Sequence, residues 1–135
     1  MNCWDYINGV PQIPVRLMGK TTVEELGLVD CGATYCVVHP KIAKLLGLKF
    51  QGSKPLYGLG SIKSISADMA NMEIEIGNLR ESVEVACIRE EHYPPMAPEV
   101  IIGRNFMNKY AFILDGERVC IEDKRILKEK LNKNI

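Results

Sequence analysis

Leu26-Gly27-Leu28-Val29-Asp30-Cys31-Gly32-Ala33 carries an apolar run into a carboxylate and then straight into a glycine turn. Burial at a strand end disfavours the charged form of a carboxylate unless something nearby compensates. Such a placement suits an aspartate that does chemistry. Later in the chain Val100-Ile101-Ile102-Gly103-Arg104-Asn105 repeats the design, an apolar strand that stops at a glycine. Together the two stretches predict a carboxylate site built where strands meet.

The regions around them read as short strands. Ile13, Val15 and Leu17 alternate with polar residues, as do Met72, Ile74 and Ile76, and then Val83, Val85 and Cys87. A period of two marks half-buried β-strands. Gly77-Asn78 and Asp115-Gly116 sit between such runs and predict tight hairpin turns. Two segments break the pattern. Pro40 opens Lys41–Leu46, and Gly47 closes it, which predicts a short helix. Arg104–Tyr110 predicts a second. The order strand, glycine turn, short helix thus occurs around Asp30 and again around Gly103, implying an approximate internal two-fold.

Bulk properties bound the function. The chain has 135 residues, enough for one domain, and its 17 basic and 17 acidic side chains cancel. That balance argues against nucleic acid and anionic membrane as partners. No stretch reaches the ~18 apolar residues of a membrane helix. The N-terminus lacks the blocks of a signal peptide, so a cytoplasmic location is expected. Five cysteines at irregular spacing argue against a secreted disulfide framework, and Cys31 and Cys36 read as small buried thiols. Cys31, Cys36 and His39 match no common zinc spacing, so no metal or cofactor is expected. His39 and His92 read as solvated. Trp4 and Tyr6 are expected to pack against the sheet or a partner chain. The domain is expected over residues 1–122. Residues 123–135 form a basic tail in which Ile126, Leu127 and Leu131 suit a weak amphipathic helix, with a frayed terminus as the plainer reading.

From about Ile13 to Glu122 the chain resembles the retropepsin-type aspartic proteases, the single-domain relatives of retroviral proteases. Asp30-Cys31-Gly32-Ala33 matches that family's Asp-Thr/Ser-Gly-Ala turn. Tyr57-Gly58-Leu59-Gly60-Ser61 fits the place of its substrate-covering flap, and Ile102-Gly103-Arg104-Asn105 matches its late motif. The resemblance implies an all-β, closed or partly open acid-protease barrel with a flap hairpin and one or two short helices, acting as a homodimer. It implies an endopeptidase acting on peptide or protein substrates. Asp30 is then catalytic, Cys31, Gly32 and Ala33 form the active-site turn, and Tyr57, Gly58, Leu59 and Gly60 belong to the flap. Gly103, Arg104 and Asn105 brace the site. One Asp-x-Gly-Ala motif per chain requires two chains to supply two carboxylates. Cys31 replaces the family's hydroxyl, and Thr34 stands where retroviral members carry an acid that pairs with the motif arginine, so Arg104 must find another partner. Val37, Val38, Leu59, Ile62 and the loop Tyr93–Pro98 are expected to wall the substrate pocket. The competing readings are a catalytically weak dimer that binds extended peptides, and a dimerisation module without a ligand.

Overall fold

A computed structural model of the protein describes residues 1–57 and 64–133. Ten strands, three α-helices and one short 3-10 helix (Glu90–His92) follow one another in chain order among the described residues. Six strands close a barrel: β2 (Gln12–Met18), β3 (Thr22–Val29), β8 (Val100–Ile102), β4 (Cys36–Val38), β7 (Leu79–Ile88) and β6 (Ile65–Ile76), with β6 returning to β2. β5 (Ser53–Leu56) hangs on the outside of β6, Leu56 facing Ile65 across the pair. The alternation read from the sequence is the cause. Ile13, Val15 and Leu17 of β2 all point inward, as do Met72, Ile74 and Ile76 of β6. Gly77, at φ 61°, supplies the left-handed turn that joins β6 to β7, with Ile76 paired to Leu79.

The long β6–β7 ladder separates two apolar clusters. Met72, Ile74, Ile76, Val83, Val85 and Cys87 join the main core around Phe106. Ala67, Met69 and Ala86 face the other way and pack with Val37, Tyr35, Leu56 and Ile88. α1 (Pro40–Leu46) plugs the barrel with Ile42, Ala43 and Leu46. His39 is not merely solvated: its Nδ1 accepts a hydrogen bond from the Lys41 N–H at 3.1 Å and caps this helix. Gly47, at φ 63°, ends it by returning its N–H to the last carbonyls.

A second, three-stranded sheet joins the chain ends in the order β1 (Asn2–Asp5), β10 (Arg118–Glu122), β9 (Ala111–Leu114). Val119 and Ile121 reach into the main core. On the other face Cys3 and Cys120, directly opposite in register, form a disulfide. Of the two cysteines read as buried thiols, Cys36 is buried and free, as is Cys87, whereas Cys31 is free but exposed. Spacing in the sequence carried no hint of the pair because the two residues lie 117 positions apart. α3 (Lys124–Lys133) follows β10, and Lys130 Nζ lies 3.4 Å from the buried Glu122 carboxylate. α2 (Arg104–Met107) is shorter than its predicted span to Tyr110, although Phe106 and Met107 are buried as its apolar side required. No helix among the described residues is long and apolar enough to cross a membrane.

Candidate active site

Asp30 stands at the seam where β3 and β8 run side by side in parallel, Val29 opposite Ile102. Its N–H donates to the Ile102 carbonyl at 3.0 Å, which fixes the aspartate to the far strand. The chain then turns at once. Asp30 Oδ1 accepts from the Gly32 N–H at 2.9 Å, and the Asp30 carbonyl accepts from the Ala33 N–H at 3.2 Å. An aspartate that bonds the backbone two residues on makes its own turn. Gly32 keeps this turn open: a Cβ there would lie 3.2 Å from Asp30 Oδ1. In the single chain Asp30 is half-buried, and Cys31 and Gly32 are exposed.

The late motif grips the residues that follow. The Arg104 N–H donates to the Ala33 carbonyl at 2.8 Å. The Arg104 guanidinium donates to Thr34 Oγ1 at 2.9 Å, so the partner that the sequence left open is a hydroxyl. Asn105 Oδ1 accepts from the Cys36 N–H at 2.9 Å, while its Nδ2 donates to the Glu84 carbonyl of β7 at 2.5 Å. Gly103 packs directly on the Tyr35 carbonyl, where a Cβ would sit 2.3 Å from the oxygen. Its N–H points at Cys36 Sγ at 3.4 Å. Burial pushes the Cys36 thiol up to about 11, so it stays protonated as a small core residue. Gly103, Arg104 and Asn105 therefore hold Ala33, Thr34, Tyr35 and Cys36 from behind.

In front of this loop lies a cavity of about 290 Å³, lined by Gly32, Ala33, Thr34, Tyr35, Val37, Pro55, Leu56, Tyr57, Ile65 and Ile88. Its walls are the Asp30 loop on one side and the arms of the β5–β6 hairpin on the other. Among the described residues no charged side chain lines it. Tyr57 reaches the cavity from the end of β5; Gly58, Leu59 and Gly60, together with Ile62, lie outside the described residues. Val37 lines the cavity as expected. Val38 does not, because strand alternation turns it into the main core. The Tyr93–Pro98 loop does not line it either: Tyr93 stacks edge-on against His39 with ring centroids 4.7 Å apart and donates its hydroxyl to the Pro98 carbonyl. A larger cavity, of about 660 Å³, lies against α1 and includes Cys87 and Asp68. These two residues pair across β6–β7 on the face opposite to Ala67 and Ile88, so that space does not open onto the Asp30 loop. Among the described residues no group of His, Cys, Asp and Glu side chains is placed to hold a metal ion.

A model of the aspartyl protease family matches residues 13–106, from β2 into α2. The chain belongs to the aspartyl protease family. The match contains the Asp30 turn and the Gly103-Arg104-Asn105 grip, and it leaves out the terminal sheet and α3. Among solved structures, the fold is similar to that of a retropepsin-like aspartic protease from Rickettsia conorii, with a TM-score of 0.61 over 89% of this chain and 88% of that one. Sequence identity to that protein is 13%, so the likeness is one of fold: a closed retropepsin-like β-barrel with short helices. No curated protein matches the sequence. Three contributors to the loop's surroundings were not assigned by sequence reading: Thr34, whose position was noted but not as the partner of Arg104, and Glu84 and Lys54, which it did not single out.

Proposed function

We propose that the protein is a homodimeric aspartic endopeptidase in which Asp30 and its symmetry mate share one water and one proton. The observation that carries this reading is the seating of Asp30. Its carboxylate stands on a turn tied to β8 and continued by the loop that the Gly103-Arg104-Asn105 motif grips, and among the described residues the apolar cavity lined by that loop from Gly32 onward holds no carboxylate. Two carboxylates about 3 Å apart cannot both ionise, so one is base while the other is acid. The ionised partner takes a proton from water as it adds to the scissile carbonyl. The protonated partner donates to the carbonyl oxygen; the C–N bond then breaks as the pair protonates the amine and takes back a proton from a hydroxyl of the tetrahedral diol. A two-fold axis beside Asp30 supplies the missing group at no cost in sequence, since both copies carry it. The β5–β6 arms, whose Leu56 and Ile65 line the cavity, form the covering side of the peptide groove.

Digestion of a peptide library from pH 4 to 7, with Asp30→Asn as the control, tests the reading. Cleavage that vanishes in the variant is expected, and cleavage that survives it assigns the chemistry elsewhere. A second reading rests on Cys31, whose thiol is a weaker hydrogen-bond donor than the hydroxyl it replaces. A dimer braced less well by that thiol binds extended peptides without turnover. A peptide isostere that binds while library peptides stay intact selects this alternative.

A further inference from the structure

The cavity of about 660 Å³ against α1 has the size of a ligand site, and it is charged where the Asp30 cavity is not. Lys20, Lys44 and Lys49 line it from the β2–β3 turn, from α1 and from the loop after α1. Packing holds these segments together. The Lys20 N–H donates to the Leu46 carbonyl at 2.8 Å, and the Lys20 stem lies against Gly47, where a Cβ would meet Lys20 Cδ at 2.5 Å. The side built by β6 and the 3-10 helix carries Asp68, Glu90 and Glu91, with Arg89 among them. Pro40, Ala43, Leu48 and Phe50 supply apolar wall, and Phe50 is 47% exposed. Elsewhere the barrel pairs its surface charges: Arg16 with Glu24 and Glu75, Lys41 with Glu99, Lys54 with Glu84, Arg80 with Glu73. Among the described residues the side chains of Lys20, Lys44, Lys49, Asp68, Glu90 and Glu91 have no such partner. A smaller hollow of about 180 Å³ stands between the two cavities. It shares Ile65 with the Asp30 cavity and Arg89 with the α1 cavity, and Ser64, Ser66 and His92 complete it.

We propose that the α1 cavity is a second peptide-binding site, which takes a substrate segment outside the catalytic groove that carries an acidic, an apolar and a basic side chain. The inference rests on the endopeptidase reading for the word substrate, and on the cavity's own lining for the peptide. An acidic side chain meets the three lysines, an apolar one covers Phe50 and Leu48, and a basic one meets Glu90 and Glu91. A simple anion would use only the lysines and leave the acids and the exposed ring unanswered. A peptide answers all three, and complementary charge selects it over others. The hollow at Ser64, Ile65 and Ser66 gives a bound chain its way around the end of β6 from one cavity to the other. Occupying both sites at once raises the effective concentration of the scissile bond at Asp30 without any new contact in the groove.

The test uses the full chain as wild type, as Lys44→Glu with Lys49→Glu, as Phe50→Ser, and as Lys128→Glu with Lys133→Glu, which makes the same charge change on α3. Fluorescein-labelled Asp-Phe-Leu-Lys, the reverse order Lys-Leu-Phe-Asp, the neutral Asn-Phe-Leu-Gln and the all-basic Lys-Phe-Leu-Lys are titrated by anisotropy. One of the two dipolar peptides should bind the wild type about fivefold or more tighter than the neutral one. The α1-side reversal should weaken it roughly tenfold and Phe50→Ser several-fold, while the α3 control stays within about twofold. The all-basic peptide should prefer the reversal variant to the wild type. A saturating reduced-amide isostere should not displace the dipolar peptide. Joined by a Gly-Ser linker to a cleaved library peptide, the dipolar segment should lower KM several-fold, more than it changes kcat, and the reversal should remove that gain. Should the reversal variant fail to fold by circular dichroism, Lys44→Gln with Lys49→Gln decides. Equal affinity in wild type and reversal variant, displacement by the isostere, laurate binding as tightly as the peptide, or no gain from the joined segment overturns the proposal. If the wild type cleaves nothing yet binds the dipolar peptide and loses it on reversal, the endopeptidase reading fails while the peptide site stands. Cleavage of library peptides without binding of any of the four probes keeps the endopeptidase reading and removes this one.

Discussion

Replacing Gly103 by Ala puts the grip on the active-site loop under direct strain. The backbone at Gly103 has φ −97°, a conformation open to any residue, so the objection to a side chain is purely steric. The new Cβ would lie 2.3 Å from the Tyr35 carbonyl oxygen, 2.4 Å from its carbon and 2.9 Å from the Cys36 nitrogen. All three obstacles are backbone, and none can rotate away. Reaching even a 3.0 Å contact moves one segment against the other by at least 0.7 Å. Overpacking of this kind costs about 1–3 kcal/mol, and an unyielding obstacle puts it at the upper end. The same shift pulls on the Arg104–Ala33 and Cys36–Asn105 hydrogen bonds. Each is worth about 0.5–1.5 kcal/mol net, so the total is about 3–6 kcal/mol. With a urea m-value of about 1.5–2 kcal/mol/M, the unfolding midpoint should fall by roughly 2–3 M. Gly19→Ala is the matched control. Its Cβ would meet the Leu46 carbonyl at 2.4 Å, a comparable clash in the β2–β3 turn, outside the loop. Both variants should be destabilised in urea melts. Only Gly103→Ala should also lose isostere affinity under conditions where it remains folded. A midpoint close to wild type, or isostere binding as tight as in Gly19→Ala, would refute the idea that Gly103 sets the loop.

Four further outcomes are expected. Asp30→Asn should abolish cleavage while leaving the circular dichroism spectrum and dimer intact, since the amide is nearly isosteric and relieves like-charge repulsion; sedimentation and a library digest check it. Cys3→Ala with Cys120→Ala removes a cross-link spanning 117 positions and should lower stability by about 2–5 kcal/mol, read from chemical melts against the oxidised parent. In alkylation at pH 8 without reductant, Cys31 should react and Cys36 and Cys87 should not, because burial pushes both of the latter up to about 11; dilution should speed the reaction at Cys31 if dimerisation covers it, and a concentration-independent rate counts against a two-fold axis there. Asp115 accepts from the Glu117 and Arg118 N–H groups at 2.8 and 2.6 Å, and the Arg118 bond first, then Glu117, holds its carboxyl below the usual range. A lowered folded-state value means stability present above about pH 4 and lost as the pH falls through the folded value. The stability gap between wild type and Asp115→Ala should therefore narrow below about pH 4, and a gap constant from pH 7 to 2 would show that the carboxylate charge does not matter.

Much of the barrel was legible because its signals are local. Alternation at Ile13–Leu17, Met72–Ile76 and Val83–Cys87 marks strands whichever partner they find. Pro40 and Gly47 bracket α1 by backbone geometry that needs no neighbour. The Asp30 turn is equally local, since the aspartate bonds an amide two residues on. Where the reading missed, the deciding feature was one that the residue pattern does not encode. Val38 differs from Val37 only in parity along a three-residue strand, and the sequence does not say which parity faces the cavity. His39 looks solvated until α1 is seen to start on it. α2 stops at Met107, ahead of the predicted end at Tyr110, as the chain turns into β9.

By itself the sequence determined the strand periodicity, the glycine turns and the two motifs, Asp30-Cys31-Gly32-Ala33 and Ile102-Gly103-Arg104-Asn105. These depend on short-range sterics and on the two-residue repeat of a pleated strand. Only the tertiary structure decided that Arg104 bonds Thr34, that Asn105 bridges Cys36 to β7, and that Lys54 of β5 lies over Tyr35. It also decided that Cys3 and Cys120 meet. Each of these joins residues distant along the chain. Their proximity follows from closing the barrel and pairing the chain ends, and no local pattern encodes that closure.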